Sequence, residues 1–391
     1  MDFLIEQSVF LEGLEKVSVL SDRKNIALLS SHILIEAGED GITLLSFDQS
    51  AGGRLRVPAK VTTPGQATVL GKKIFQIVRE LAPGMIHVFR EEGGRKGMTT
   101  VEKDSAVFHL KGIDPRDFAS FPEITPEYSF GVPIRDLQKL IEKTLPFVVE
   151  EEGTYMNGVL FQRERTSGGK AALNVVGTDG NGLHHGQIPL GEEGGIDLSE
   201  QGEKRFLIKR RHAADLMRML ETDAKDEKLT VEISVNPRYA QFRWLGFYFF
   251  VRLLDLRFPN YRDVFPEEHS VTVDMGREAA TSIIRRAGLI SEKNVELELT
   301  WDERAVTMTS QNIDIGDSRE QTPAIVTGPP SGFFFSIQSL SKLLGVVGGT
   351  TLRMQAVILD DPLEHSKVPV VWSSVEEPQS RYVIMPLETH S

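Results

Sequence analysis

The sequence predicts an α+β fold built as three similar domains, each with two helices against antiparallel sheets. Three observations carry that prediction. A strand-like fragment that runs into a helical stripe opens the chain and returns twice. A second strand-then-helix unit also occurs three times. Two closely similar segments, "FPEITPEYSFGVPIRDL" from Phe121 and "FPNYRDVFPEEHSVTVDMGREA" from Phe258, each stand just before a new copy of the first unit.

In chain order, Phe3 and Ile5 alternate, and Phe10, Leu11, Leu14 and Val17 follow at helical spacing. The second copy has Phe130 and Val132, then Leu137, Leu140 and Ile141; the third has Val271 and Val273, then Ala279, Ala280, Ile283 and Ala287. The other unit reads "ATVLGKKIFQIVREL" from Ala67, "KRFLIKRRHAADLMRML" from Lys204 and "GFFFSIQSLSKLLGVV" from Gly332. Between the units lie β-rich runs such as "SSHILIEAGEDGITLLSFD", "VELELTWDERAVTMTS" and "YAQFRWLGFYFFVRLLD". The two FP segments therefore read as linkers that feed the next copy. Breaks near Pro126 and Pro266 give domains 1–126, 127–266 and 267–391, each of ordinary size. The insert "GEEGGIDLSEQGEK", Gly191 to Lys204, reads as a mobile loop.

At 391 residues with 40% hydrophobic content, the chain can give each domain a core. No apolar run reaches the roughly 18 residues of a membrane helix, and "MDFLIEQSVF" is not a signal peptide, so the expectation is a cytoplasmic protein. With no cysteine, disulfides, thiolate chemistry and Cys-type zinc sites are excluded. A net charge of −12 argues against nucleic acid taken as a total, but distribution can overrule a total.

The distribution is uneven. On a helical wheel centred on Ile74, Ile77, Val78 and Leu81 fall within about 60° of it, while Lys72 and Arg79 lie opposite. Centring on Ala213 gathers Leu216, Met217 and Leu220 and sends Arg211 and Arg218 opposite. Arg135, Lys139 and Lys143 make a further stripe; the third copy has Arg277 and Arg285, but its second helix only Lys342. The outer face of any single helix is charged anyway. Several related helices of one sign in an acidic protein point instead to one shared basic surface. No recognition-helix cluster for reading bases is present, so that surface suits sequence-blind, salt-sensitive backbone contact.

Five stretches, in order along nearly the whole chain, resemble the bacterial DNA polymerase III beta subunit, the replication sliding clamp: "YMNGVLF" at 155–161, "GTDGNGL" at 177–183, "FLIKRRHAADLMRML" at 206–220, "LDLRFPNYRDVFP" at 254–266 and "SRYVIMPL" at 380–387. The resemblance implies a head-to-tail homodimer of three similar domains per chain, closed into a ring whose helices surround duplex DNA. It implies no enzymatic activity and no cofactor. Lys72, Lys73, Arg79, Arg210, Arg211 and Arg218 are expected to line the hole, joined by Arg23 and Tyr155 at positions that look like family DNA contacts. Polymerases and a clamp loader are expected to insert a short extended peptide into a groove between the second and third domains. The matching positions are Met156, Thr178, Gly180, Leu183, Pro259, Val264, Val383, Ile384, Met385, Pro386 and Leu387. Phe108, Leu289 and Ile290 match dimer-interface positions. Three departures stand out. Asn181 and Gly182 replace a frequent His-Arg pair, Asp263 replaces a frequent basic residue, and "ETHS" extends past the family's usual end, so an altered peptide preference is expected.

Two other readings compete. Asp179, His184 and His185 could be taken as a metal or acid/base cluster, but neighbouring residues of a strand point to opposite faces. "LGVVGGTTL" from Leu344 has neither a P-loop Lys-Ser/Thr nor dinucleotide-type glycine spacing, and reads as a helix end and turn. A peptide-binding ring or scaffold without DNA binding is the remaining alternative.

Overall fold

The computed structural model describes residues 1–20, 28–48, 50–90, 98–118, 122, 124–165, 170–191, 204–290 and 296–388. All six strand-then-helix units are present. Asp2–Glu6 runs into α1 (Gln7–Ser18), Gly65–Leu70 into α2 (Gly71–Glu80), Tyr128–Pro133 into α3 (Ile134–Thr144) and Lys204–Lys209 into α4 (Arg210–Glu221). Val271–Gly276 runs into α5 (Arg277–Ile290), and Ser331–Ser336 into α6 (Ile337–Val346). The Gly191 to Lys204 insert falls almost wholly outside the described residues, as does Arg23.

The chain divides into two compact units. The first takes Met1–Gln138 and Ala214–Leu253, and holds a five-stranded and an eight-stranded antiparallel sheet. Phe3, Phe10, Leu14, Ile74, Val78, Ile86 and Val101 are fully buried in it. In the eight-stranded sheet Phe247–Arg252 lies antiparallel to Ala51–Val57, joining the last strand of one repeat to the fourth strand of the repeat before it. Glycine in "AGGRLRV" permits this: a Cβ on Gly52 would stand 2.5 Å from the Phe250 ring. Beside the joint, Lys16 is buried 2.8 Å from Asp223, whose Oδ2 also accepts Trp244 Nε1–H at 2.7 Å. Removing one partner of such a buried pair costs about 3–5 kcal/mol.

The second unit takes Lys139–Gly191, Gln201–Ala213 and Leu254–Ser391 and holds a twelve-stranded antiparallel arrangement. The same joint recurs there: Ser380–Ile384 lies antiparallel to Gly182–Pro189. In the N-terminal repeat, Pro58 separates the fourth strand from Lys60–Thr63. In the C-terminal repeat one long strand, Gly316–Thr327, spans both roles: 316–323 pairs with Ala305–Asn312, and 324–327 with the strand before α5. Pro323 sits at the changeover, where a residue without an N–H is cheapest.

Candidate functional site

The residues expected to form the groove lie in the second unit and start from a tight hairpin. Asp179 Oδ1 accepts the N–H of Asn181 at 3.0 Å and of Gly182 at 2.8 Å. Thr178 Oγ1 donates to the Gly182 carbonyl and accepts the Gly180 N–H. Gly180 has φ +89°, a conformation that side chains resist. Next to it, the 3₁₀ turn Tyr155–Asn157 is capped by Thr154, whose hydroxyl accepts the Met156 N–H. Met156 Sδ stands 3.6 Å from where a Cβ on Gly180 would be, so turn and thioether are in contact range.

Leu183 follows the turn and lies opposite Val383. Both are buried in one cluster with Leu160, Val176, Leu207, Phe258, Tyr261 and Val371, and half-buried Tyr155, Leu254, Val264 and Phe265 pack on it. The C-terminal segment is pinned alongside. Met385 N–H donates to the Asn181 carbonyl at 2.9 Å, and Leu387 N–H to the Phe334 carbonyl at 2.7 Å. Met385 and Leu387 are half-buried and Pro386 is buried. Pro259 is exposed beside buried Phe258, and Ile384 lies wholly inside the neighbouring core with Phe147, Trp372 and Tyr382. The structure therefore brings Leu183, Val264 and Val383 together in one apolar cluster, with the Thr178–Gly180 turn and Met156 beside it, the Met385 to Leu387 segment tied to Asn181 and Phe334, and Ile384 in the neighbouring core. Asp263 is exposed and accepts a 2.5 Å hydrogen bond from Asn260 Nδ2. Tyr155, expected as a DNA contact, packs its ring edge-on to Phe258 at 5.6 Å. Sequence reasoning missed Phe258, Tyr261 and Phe265 as the patch's floor; their i, i+3, i+7 spacing in "FPNYRDVF" was the available signal.

The two histidines work as core hydrogen-bonding groups. His184 Nδ1 lies 2.8 Å from Thr144 Oγ1 and its Nε2 2.8 Å from Ser380 Oγ. His185 Nε2 lies 2.8 Å from Asn174 Oδ1. Burial, reinforced by His185 and Lys143, holds His184 well below the ordinary histidine range. Burial, with Arg381 and Arg262 nearby, pushes His185 down to about 3.

The helix faces turn out as the wheels predict, with Ile74, Val78, Ala213, Leu216 and Leu220 buried and Lys72, Lys73, Arg79, Arg211 and Arg218 exposed. Arg210 is half-buried; its Nε donates to the Val148 carbonyl at 3.0 Å and its guanidinium pairs with Glu150. Several cations read as one stripe are neutralised instead. Arg135 pairs with Glu227, Lys143 with Glu377 and Lys342 with Asp179. Lys139 and Arg285 remain exposed. Among the dimer positions, Phe108 and Leu289 are exposed, Leu289 at 76%, and Ile290 is half-buried. Phe108 lies in the strand Ala106–Lys111, at the edge of the five-stranded sheet.

Superposition on solved structures fixes what this architecture is. The crystal structure of a DnaN sliding clamp from Pseudomonas aeruginosa bound to griselimycin matches with a TM-score of 0.88 at 22% identity, covering all of both chains. The Bacillus subtilis DNA polymerase sliding clamp matches at 0.87 and 20%, again over all of both. The chain has the sliding-clamp fold. Residues 1–122 match the family model of the DNA polymerase III beta subunit, N-terminal domain. The beta sliding clamp of Escherichia coli K12 is 26% identical over 391 residues, and that of Caulobacter vibrioides 24% over 389, each spanning 99% of this chain and all of the relative. The resemblance to the beta sliding clamp thus runs from end to end, and the apolar cluster and basic helix faces sit on that frame. Among the described residues no helix is long and apolar enough to cross a membrane.

Proposed function

We propose that this chain is a DNA polymerase processivity factor: two copies close head to tail around duplex DNA and tether polymerases and a clamp loader through the groove. The three repeats then correspond to domains 1–126, 127–266 and 267–391. The chain carries out no catalysis itself and works in the cytoplasm without a cofactor. Lys72, Lys73, Arg79, Arg210, Arg211 and Arg218 face the DNA backbone, loosely enough for the ring to slide, and the resemblance adds Arg23 and Tyr155 as DNA contacts.

The observation that carries this reading is an open joint. Twice, the last strand of one repeat lies antiparallel to the fourth strand of the repeat before it. Among the described residues, the last strand of the first repeat, Ala106–Lys111, has no such partner in its sheet, and neither does the 316–323 stretch of the third repeat's fourth strand. Each is the complement of the other, so a second copy satisfies both and the contact closes after two chains. The register follows from equivalent inward-facing pairs, Leu44 with Leu55, Val175 with Gly186 and Met308 with Glu320. Since Phe247 lies opposite Leu55 and Ser380 opposite Gly186, Ala106 is assigned to Glu320 of the partner subunit. Phe108 then falls opposite Ser318 of the partner subunit, and the exposed Leu289 and half-buried Ile290 lie near this seam.

The groove offers half-exposed Met, Val and Leu side chains over a buried apolar floor, the surface an extended peptide with apolar anchors requires. We assign griselimycin binding to the same patch here. The function is tested by loading the protein onto nicked circular DNA with a clamp loader. Retention on the circle, and loss after the DNA is linearised, are expected. A chain that stays on linear DNA, or is never retained on circles, contradicts the proposal.

A further inference from the structure

Helix α6 has one cation, Lys342. Its Nζ lies 2.7 Å from Asp179 Oδ2, and the Asp179 side chain is only 13% exposed. The other oxygen of that carboxylate accepts the N–H groups of Asn181 and Gly182. One carboxylate therefore both shapes the 179–182 turn and ties it to a helix 163 residues further along the chain. The turn is fastened a second time, since the Asn181 carbonyl accepts from Met385. The segment after Met385 is held by Leu387 N–H on the Phe334 carbonyl, in the strand that feeds α6. Turn, C-terminal segment and α6 thus form a closed circuit of bonds around Met156, Leu183, Met385 and Leu387.

We propose that Lys342 is a positioning residue for the partner groove and not a DNA contact; this rests on the groove reading given above. Without the ammonium, Asp179 is a mostly enclosed carboxylate balanced by two amides alone, and it gains solvation by rotating outward. That rotation releases the Asn181 and Gly182 amides. The Asn181 carbonyl that holds Met385 then moves, and so does Leu183, the first apolar side chain after the turn. A partly exposed ion pair contributes little to global stability, so the effect is local to the groove.

The test is isothermal titration of griselimycin into the full-length protein, with melting temperature and retention on nicked circular DNA measured alongside. Lys342→Met is expected to weaken binding about tenfold through a looser site, and Lys342→Arg to recover most of the loss. Asp179→Asn keeps the amide-accepting oxygen and loses the charge; it is expected to weaken binding equally, and the double variant no more than either single one. Melting temperature, and the residence time on nicked circles of protein already loaded, stay near wild type. Binding by Lys342→Met within twofold of wild type, or additive losses in the double variant, overturns the inference. So does weakened DNA retention with unchanged griselimycin affinity, which makes Lys342 a DNA contact. Wild-type protein that fails to bind griselimycin overturns the groove reading itself, and this inference with it.

Discussion

His184 and His185 are neighbours in one strand and face opposite sides of its sheet. His184 packs against Phe147 and Tyr382, and His185 against Tyr261 and Phe265. Thr144 Oγ1 already donates to the Leu140 carbonyl, so it can only accept from His184 Nδ1–H, and Ser380 then donates to Nε2. Both rings are neutral in the folded state, whereas in the unfolded chain each takes up a proton as pH falls through about 6.5. Between the unfolded and folded values the unfolded state binds more protons, so stability is complete above about pH 6.5 and declines on acidification. For His185 the decline continues to about pH 3. The expected loss approaches about 1.4 kcal/mol per histidine per pH unit in that window. Urea unfolding at pH 7.5 and 5.5 reads it. His184→Gln and His185→Gln should each flatten the dependence, and an unchanged slope would contradict the neutral assignment. The opposite facing of these two residues was legible from strand alternation. Their hydrogen-bond partners were not, because Ser380 lies 196 residues from His184.

At the scale of elements, all six strand-to-helix units were legible, because a period of two passing into 3.6 is a local signal. Apolar positions on α2 and α4 were legible for the same reason. The fate of the charged faces was not. Lys143 looks equivalent to Lys139 by spacing and Lys342 stands alone on its helix, yet each meets a carboxylate from a distant part of the chain, and nothing local announces that partner. Strand pairing between repeats is hidden in the same way; only "AGGRLRV", with its pair of glycines, hints that another backbone or ring comes close. The unpartnered edges at Ala106–Lys111 and 316–323 give the element-scale prediction. The chain has no cysteine, so Phe108→Cys with Ser318→Cys provides a clean cross-linking pair. A bifunctional thiol reagent should join two chains, and Leu289→Ala with Ile290→Ala should abolish that link in a still-folded monomer. Cross-linked product that stays monomeric contradicts the assigned register.

For the whole molecule, composition pointed away from the function that the fold supports. The net charge of −12 hides the exposed cations of α2 and α4, Lys72, Lys73, Arg79, Arg211 and Arg218. The threefold repeat was legible, but the compact units cut through its middle copy, whose two sheets each continue into a neighbouring repeat. That continuity is the plan's physical logic: twice a repeat extends its sheet with a strand of the next one, and the proposed second copy would repeat the same joint. Under the proposed function, enclosure replaces affinity as the means of staying on DNA, which lets an acidic protein hold a polyanion with a modest number of cations. The most direct measurement is electron microscopy of the purified protein at micromolar concentration. The account predicts a closed ring of two chains with those five side chains around its hole. Single chains, or a ring that carries them on its outer surface, would contradict it.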